Sequence, residues 1–78
     1  MTRPTAVPTT EALKGATFTI RRPGRTAWAT GVPARELRRA FRRAEARIKG
    51  HVIVVENGPL TGQDFLAPEV FGALDARA

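Results

Sequence analysis

Residues 35–49 hold six arginines and one lysine against only Glu36 and Glu45, and their order suits one regular structure above others. Wound as a helix at about 100° per residue, Leu37, Ala40, Phe41, Ala44 and Ile48 fall into one apolar stripe roughly 120° wide. Arg35, Arg38, Arg39, Arg42, Arg43 and Lys49 then gather on the opposite side. The segment carries a net charge of +5, most of the whole chain's +6. Gly31-Val32-Pro33 opens this helix, because proline is tolerated in a first turn where its missing donor has no role. Gly50 is placed to stop it, with Arg47 and Lys49 set favourably against the negative end of the helix dipole.

The flanking segments read as strands. Ala16-Thr17-Phe18-Thr19-Ile20-Arg21 alternates small or apolar residues with polar ones, the period of a half-buried strand. Pro23-Gly24 suits the two central positions of a type II turn. Thr26 to Thr30 then returns as a second strand, with Trp28 facing Phe18 or Ile20 across the hairpin. Val52-Ile53-Val54-Val55, a β-branched run between Gly50 and Asn57-Gly58-Pro59, reads as a buried strand central in a small sheet. Thr61 to Asp64 caps a turn into Phe65-Leu66. Pro68 begins a short helix with Val70, Phe71 and Leu74 on one face. The prediction is an α+β domain over residues 15–78. A β-hairpin plus a third strand make an antiparallel or mixed sheet, one long amphipathic helix packs on it, and a short C-terminal helix follows. Residues 1–14, rich in Thr and Pro, read as a flexible N-terminal arm.

Length and composition narrow the function. A chain of 78 residues holds one small domain and no second core, burying about 60–65% of its unfolded surface. No apolar run approaches the roughly 20 residues of a membrane span, and the N-terminus lacks a basic-then-apolar leader. With no cysteine there is neither a disulfide framework nor a thiolate metal site. A soluble intracellular protein is expected. Arginine outnumbers lysine eleven to two. That bias fits bidentate recognition of phosphate or carboxylate and equally a GC-rich genome, but base composition does not explain why the cations collect on one helical face. Charge is also segregated along the chain, with residues 50–78 summing to −3.

Catalytic chemistry is sparse. The chain has no Ser, Cys or Tyr, and His51 is its one histidine, at a helix-to-strand junction without a partner nearby in sequence. No ligand spacing predicts a metal, and the glycines assemble no phosphate-cradling loop, so neither a cofactor nor an enzyme is expected. The candidate site is the basic one: Arg35, Arg38, Arg39, Arg42 and Arg43 on the helix, with Arg21, Arg22 and Arg25 at the hairpin turn. Like charges at i,i+4 oppose helix formation by about a few tenths of a kcal/mol each. Glu36 and Glu45 offset part of this, Glu45 toward Arg42 or Lys49. An anionic partner would remove the rest and gain charge-assisted hydrogen bonds. The competing interpretation is a solvated helix exterior beside a hairpin whose arginines keep a sheet edge soluble. Trp28 reads as a core anchor between sheet and helix, with stacking on a base as the alternative.

The ATFTIRR-PG-RTAWAT hairpin and the PARELRRAFRRAEARIKG helix carry a resemblance on a small chain without catalytic or targeting signals. Together they resemble the anti-CRISPR proteins of phages and mobile elements, inhibitors of type I systems, type I-C among them. The resemblance spans the whole chain but rests on no shared motif, so it transfers no residue roles. It implies a stoichiometric, non-enzymatic inhibitor in the cytoplasm of a bacterial host. Such an inhibitor binds a subunit of a CRISPR surveillance complex and obstructs target-DNA binding or nuclease recruitment. Several members of that class are acidic DNA mimics. A +6 chain departs from them and would engage an acidic subunit surface, or exposed RNA or DNA backbone, as a monomer and away from any membrane. The alternative is a small nucleic-acid-binding protein of a mobile element, a repressor or excisionase-like factor. No companion helix for a helix-turn-helix lies upstream, and the arginine face offers no Asn, Gln or Ser for base readout. Contact with nucleic acid would then be mainly to backbone.

Overall fold

The computed structural model describes residues 8–75. The fold is α+β, with six elements in chain order: β1 (Thr17–Arg21), β2 (Ala27–Pro33), α1 (Ala34–Arg47), β3 (Val52–Val55), β4 (Asp64–Phe65) and α2 (Ala67–Asp75). The sheet is antiparallel throughout, in the order β2-β1-β3-β4. Because β2 and β3 both pair antiparallel with β1, they run in the same direction on either side of it, and α1 is the crossover between them. The hairpin closes as its turn residues dictate, with Gly24 at φ +75° and the Arg25 N–H donating to the Arg22 carbonyl at 2.9 Å. β3 is interior, as its β-branched run requires. The fourth strand is an addition: the two residues of β4, expected as a turn, pair with Ile53 and Val54.

One face of the sheet is the core. Phe18 stands opposite Val55 and Ile20 opposite Ile53, and all four are fully buried together with Leu37 and Ala44 of α1. At about 25 cal/mol per Å² of buried apolar surface, this layer is the main driving force of folding. Val70 and Ala73 of α2 close one end of it. The N-terminus of α2 is set by a side chain reaching back: Glu69 Oε1 accepts the Leu66 N–H at 3.0 Å.

Four expectations need correction. First, β2 continues through Pro33 and α1 begins at Ala34, so Gly31-Val32-Pro33 is strand, not helix. Val32 pairs with Phe18 and Pro33 with Thr17, and this long-range pairing outweighs the local helix-start signal. Second, α1 ends at Arg47. Ile48 is extended at φ −159° and ψ 145° and lies 47% exposed, outside the apolar stripe. Glu45 draws the chain back across the last turn, accepting the His51 backbone N–H at 2.9 Å, and Ile48 to Gly50 bow outward. Third, Trp28 is no core anchor: it is 44% exposed. Ile20 pairs with Ala29 and Arg21 with Ala27, so Trp28 is the extra residue of a β-bulge and loses the strand's alternation. Fourth, the arm predicted over residues 1–14 does not extend to Gly15 as a loose segment. Residues 1–7 lie outside the described residues, but from Pro8 onward the chain packs. Leu13 is 1% exposed within the core, and the Thr10 hydroxyl donates to the Ala73 carbonyl.

The other sheet face carries Thr17, Thr19 and Arg21 beside half-buried Val52 and Val54. Glu56, just past β3, accepts hydrogen bonds from the Thr17 and Thr19 hydroxyls and, at 2.7 Å, from the Gly31 N–H. Gly31 has φ +64°, a left-handed conformation that aims this N–H across the sheet at little cost only in glycine. The Gly31 N–H, then the Thr19 and Thr17 hydroxyls, hold the Glu56 carboxyl below the usual carboxylate range, with burial opposing. A depressed folded value means that the unfolded chain binds the proton more readily. The contribution is therefore complete above the ordinary value of about 4.3 and is lost as pH falls through the lower folded value.

Two expectations follow for stability. Leu13→Ala destabilises by about 2–4 kcal/mol in urea unfolding; a change below about 0.5 kcal/mol would mean that the segment is not part of the core. Glu56→Gln melts lower than the parent near neutral pH and loses less on acidification toward about pH 3. If the variant keeps the parent's pH dependence in thermal melts followed by circular dichroism, the Glu56 hydrogen bonds are not its source.

Candidate functional site

The burial of Leu37 and Ala44 fixes the rotation of α1 and thereby sends its arginines outward. Arg35, Arg38, Arg39, Arg42, Arg43 and Arg47 are all exposed, as is Lys49 just beyond the helix. They differ in what they touch. Arg38 is engaged: its Nη2 lies 2.6 Å from Asp75 Oδ2 and its guanidinium carbon 4.9 Å over the Phe71 ring. Arg35 has a loose neighbour in Glu36 at 3.9 Å, a solvent-exposed pair worth about 0–1 kcal/mol. Arg39, Arg42, Arg43, Arg47 and Lys49 make no ion pair among the described residues. Glu45 does not relieve them as expected. Its Oε2 accepts the His51 N–H and lies 2.9 Å from His51 Nδ1. The His51 backbone N–H holds the Glu45 carboxyl below its usual range against burial, and the imidazole adds to this.

The turn arginines divide. Arg22 and Arg25 stand at the hairpin end of β2. The ring of nearby Trp28 lies 6.4 Å from that of His51, just past the end of α1. The tip therefore shares one end of the molecule with Arg47 and Lys49. Arg21 is not brought together with α1. It alternates with core-facing Ile20, so it lies on the opposite sheet face, 3.7 Å from Asp64.

Among the grooves along α1, two join an aromatic side chain to a pair of arginines four residues apart. On the α2 side, Phe41 and Phe71 form the floor of an open groove of about 490 Å³ lined also by Arg38, Arg42, Glu45 and Lys49. Their rings meet edge to face at 5.7 Å. On the β2 side, Trp28, Ala29, Val32 and Ala40 line a smaller groove of about 280 Å³ bordered by Glu36, Arg39 and Arg43. Phe41 and Phe71, read from the sequence as apolar-face residues, are half-buried against the core and also line the α2-side groove, whereas Trp28, read as a core anchor, is exposed. Phe41's position at the margin of the apolar stripe, next to Glu45 and Arg38 on the helical wheel, is the signal that could have placed it at a groove. His51 is likewise not without a partner: it is 7% exposed, with its ring edge-on to both Trp28 and Phe41.

Among the described residues, no three His, Cys, Asp or Glu side chains gather to hold a metal ion, and no helix is long and apolar enough to cross a membrane. No protein family, curated protein or solved structure matches the chain. The site's chemistry therefore rests on its own geometry: an exposed cationic arc with two aromatic margins.

The difference between engaged and free arginines is measurable in the isolated protein. Arg43→Gln removes repulsion from Arg39 and Arg47 and raises the melting temperature by about 1–2 °C at low salt. Arg38→Gln loses Asp75 and the Phe71 contact and lowers it. Equal effects of the two substitutions would contradict the assignment.

Proposed function

We propose that this chain is a non-enzymatic binding protein that docks on an anionic surface of a nucleoprotein complex through the outer face of α1. Five cations, Arg39, Arg42, Arg43, Arg47 and Lys49, are exposed without an ion-pair partner among the described residues, and this observation carries the reading. An isolated helix gains nothing from four arginine pairs at i,i+4. A partner presenting phosphates or carboxylates removes the repulsion and adds charge-assisted, bidentate hydrogen bonds. The resemblance to anti-CRISPR inhibitors implies a CRISPR surveillance complex as the partner, with target-DNA binding or nuclease recruitment as the obstructed step. Arg38 contributes less than its position on the helix suggests, because Asp75 must first release it.

A second reading, a small nucleic-acid-binding protein of a mobile element, draws support from one specific observation. Trp28 is exposed in the same groove as Arg39 and Arg43, an aromatic surface set beside free cations.

The test is charge reversal at Arg39, Arg42 and Arg43 together, with pull-down from a host carrying a type I system and a plasmid-interference assay. Loss of both co-purification and inhibition is expected, with the fold checked by circular dichroism. Undiminished binding by the reversed variant would remove α1 as the docking surface.

A further inference from the structure

We propose that the groove between β2 and α1 is a single-stranded nucleic-acid site, in which Trp28 stacks on an unpaired base while Arg39 and Arg43 hold the flanking phosphates. This rests on the reading of α1 as an anion-docking face and names the anion.

Three observations point to this groove rather than its larger neighbour. Trp28 is presented, not buried: the bulge in β2 releases it from the strand's alternation, and the residue stays 44% exposed. It is also braced. The ring of His51, itself buried and hydrogen-bonded to Glu45, meets it at 73° with centroids 6.4 Å apart, a contact that favours one placement of the indole. Finally, no guanidinium covers it. Among the described residues the one guanidinium over a ring is Arg38 over Phe71, in the other groove, which also contains the Glu45 carboxylate. The acidic residue bordering the Trp28 groove is Glu36, and it faces Arg35 at 3.9 Å.

Charge and shape select the ligand. Arg39 and Arg43 lie one helical turn apart with no ion pair of their own, complementary to a phosphate chain running along α1. An acidic peptide would satisfy these cations but brings a flat π surface only where it carries an aromatic side chain, whereas every nucleotide carries one. In duplex nucleic acid the bases have that surface but are stacked away inside, whereas single strands present it. The groove lining contains no Asn, Gln, Ser or Thr, so the base is gripped by its face and read little by its edge. Binding is therefore sequence-tolerant.

Because Trp28 is the sole tryptophan, its fluorescence reports directly on the site. The experiment titrates the full chain, at about 50 mM salt, with oligothymidylate and oligouridylate of roughly 15 nucleotides, a duplex of the same length, and polyglutamate. Fluorescence anisotropy of the labelled oligonucleotides gives affinities for the variants. Both single strands are expected to quench Trp28 and to bind about tenfold tighter than the duplex. Trp28→Ala should weaken single-strand binding about tenfold and leave duplex binding unchanged, and Trp28→Phe, which keeps a ring, should recover part of the loss. A preference between the two strands distinguishes RNA from DNA within the proposal. Duplex or polyglutamate bound as tightly as single strands, with Trp28→Ala without effect, would overturn the stacking site while leaving the arginine face intact. If none of these polyanions binds and charge reversal of α1 leaves partner capture unchanged, the arginine-face reading falls with it.

Discussion

The arrangement depends on how α1 is seated. Leu37 and Ala44 are its only buried residues, sharing the core with Phe18, Ile20 and Val32. At 100° per residue, fixing these two fixes the direction of every other side chain on the helix. The magnitudes are sufficient. Burying one leucine contributes about 1.5–3 kcal/mol, while four like-charged i,i+4 pairs cost roughly 1 kcal/mol together. The apolar stripe therefore holds the helix on the sheet against the repulsion among its own arginines. Without that contact the basic arc would have no defined orientation.

The two sides of α1 then acquire different characters from the elements beside them. Toward α2, Phe71 and Asp75 supply partners for Arg38, and that flank is partly satisfied from within the fold. Toward β2, nothing comparable reaches Arg39 or Arg43, and the nearest large side chain is the exposed indole of Trp28. The acidic C-terminal segment thus neutralises one end of the arc and leaves the rest open. By its position in sequence Glu45 is set to balance the middle of the helix, but it is directed to His51. That interaction both terminates α1 and steadies the histidine on which Trp28 leans.

Much of this was legible in the residues. The stripe of Leu37, Phe41 and Ala44, the alternation of β1, the Pro23-Gly24 turn and the β-branched run of β3 each follow from a local period or a turn preference, and the α+β fold follows from them. What was not legible came from interactions distant in the chain. The extension of β2 to Pro33 needs Thr17 and Phe18 opposite it. The end of α1 depends on Glu45 reaching His51. β4 is a two-residue strand that exists only because β3 offers an edge. Trp28 changed from core anchor to groove wall because a single bulge displaced it, and no local pattern marks that bulge in advance. For the site, the helix arginines were legible as a group. Their division into an engaged Arg38 and free neighbours, and the separation of Arg21 onto the other sheet face, required the tertiary structure.

The central claim is that free guanidinium groups on α1 meet phosphates, and the salt dependence of binding to a single strand measures it most directly. Neutralising about four phosphates predicts that log affinity falls with log salt at a slope near −3, about −0.7 per phosphate. The slope should become shallower by about 1.4, roughly 0.7 for each of two phosphate contacts, when Arg39 and Arg43 are replaced by glutamine. A slope near zero, or one that those replacements leave unchanged, would contradict the account.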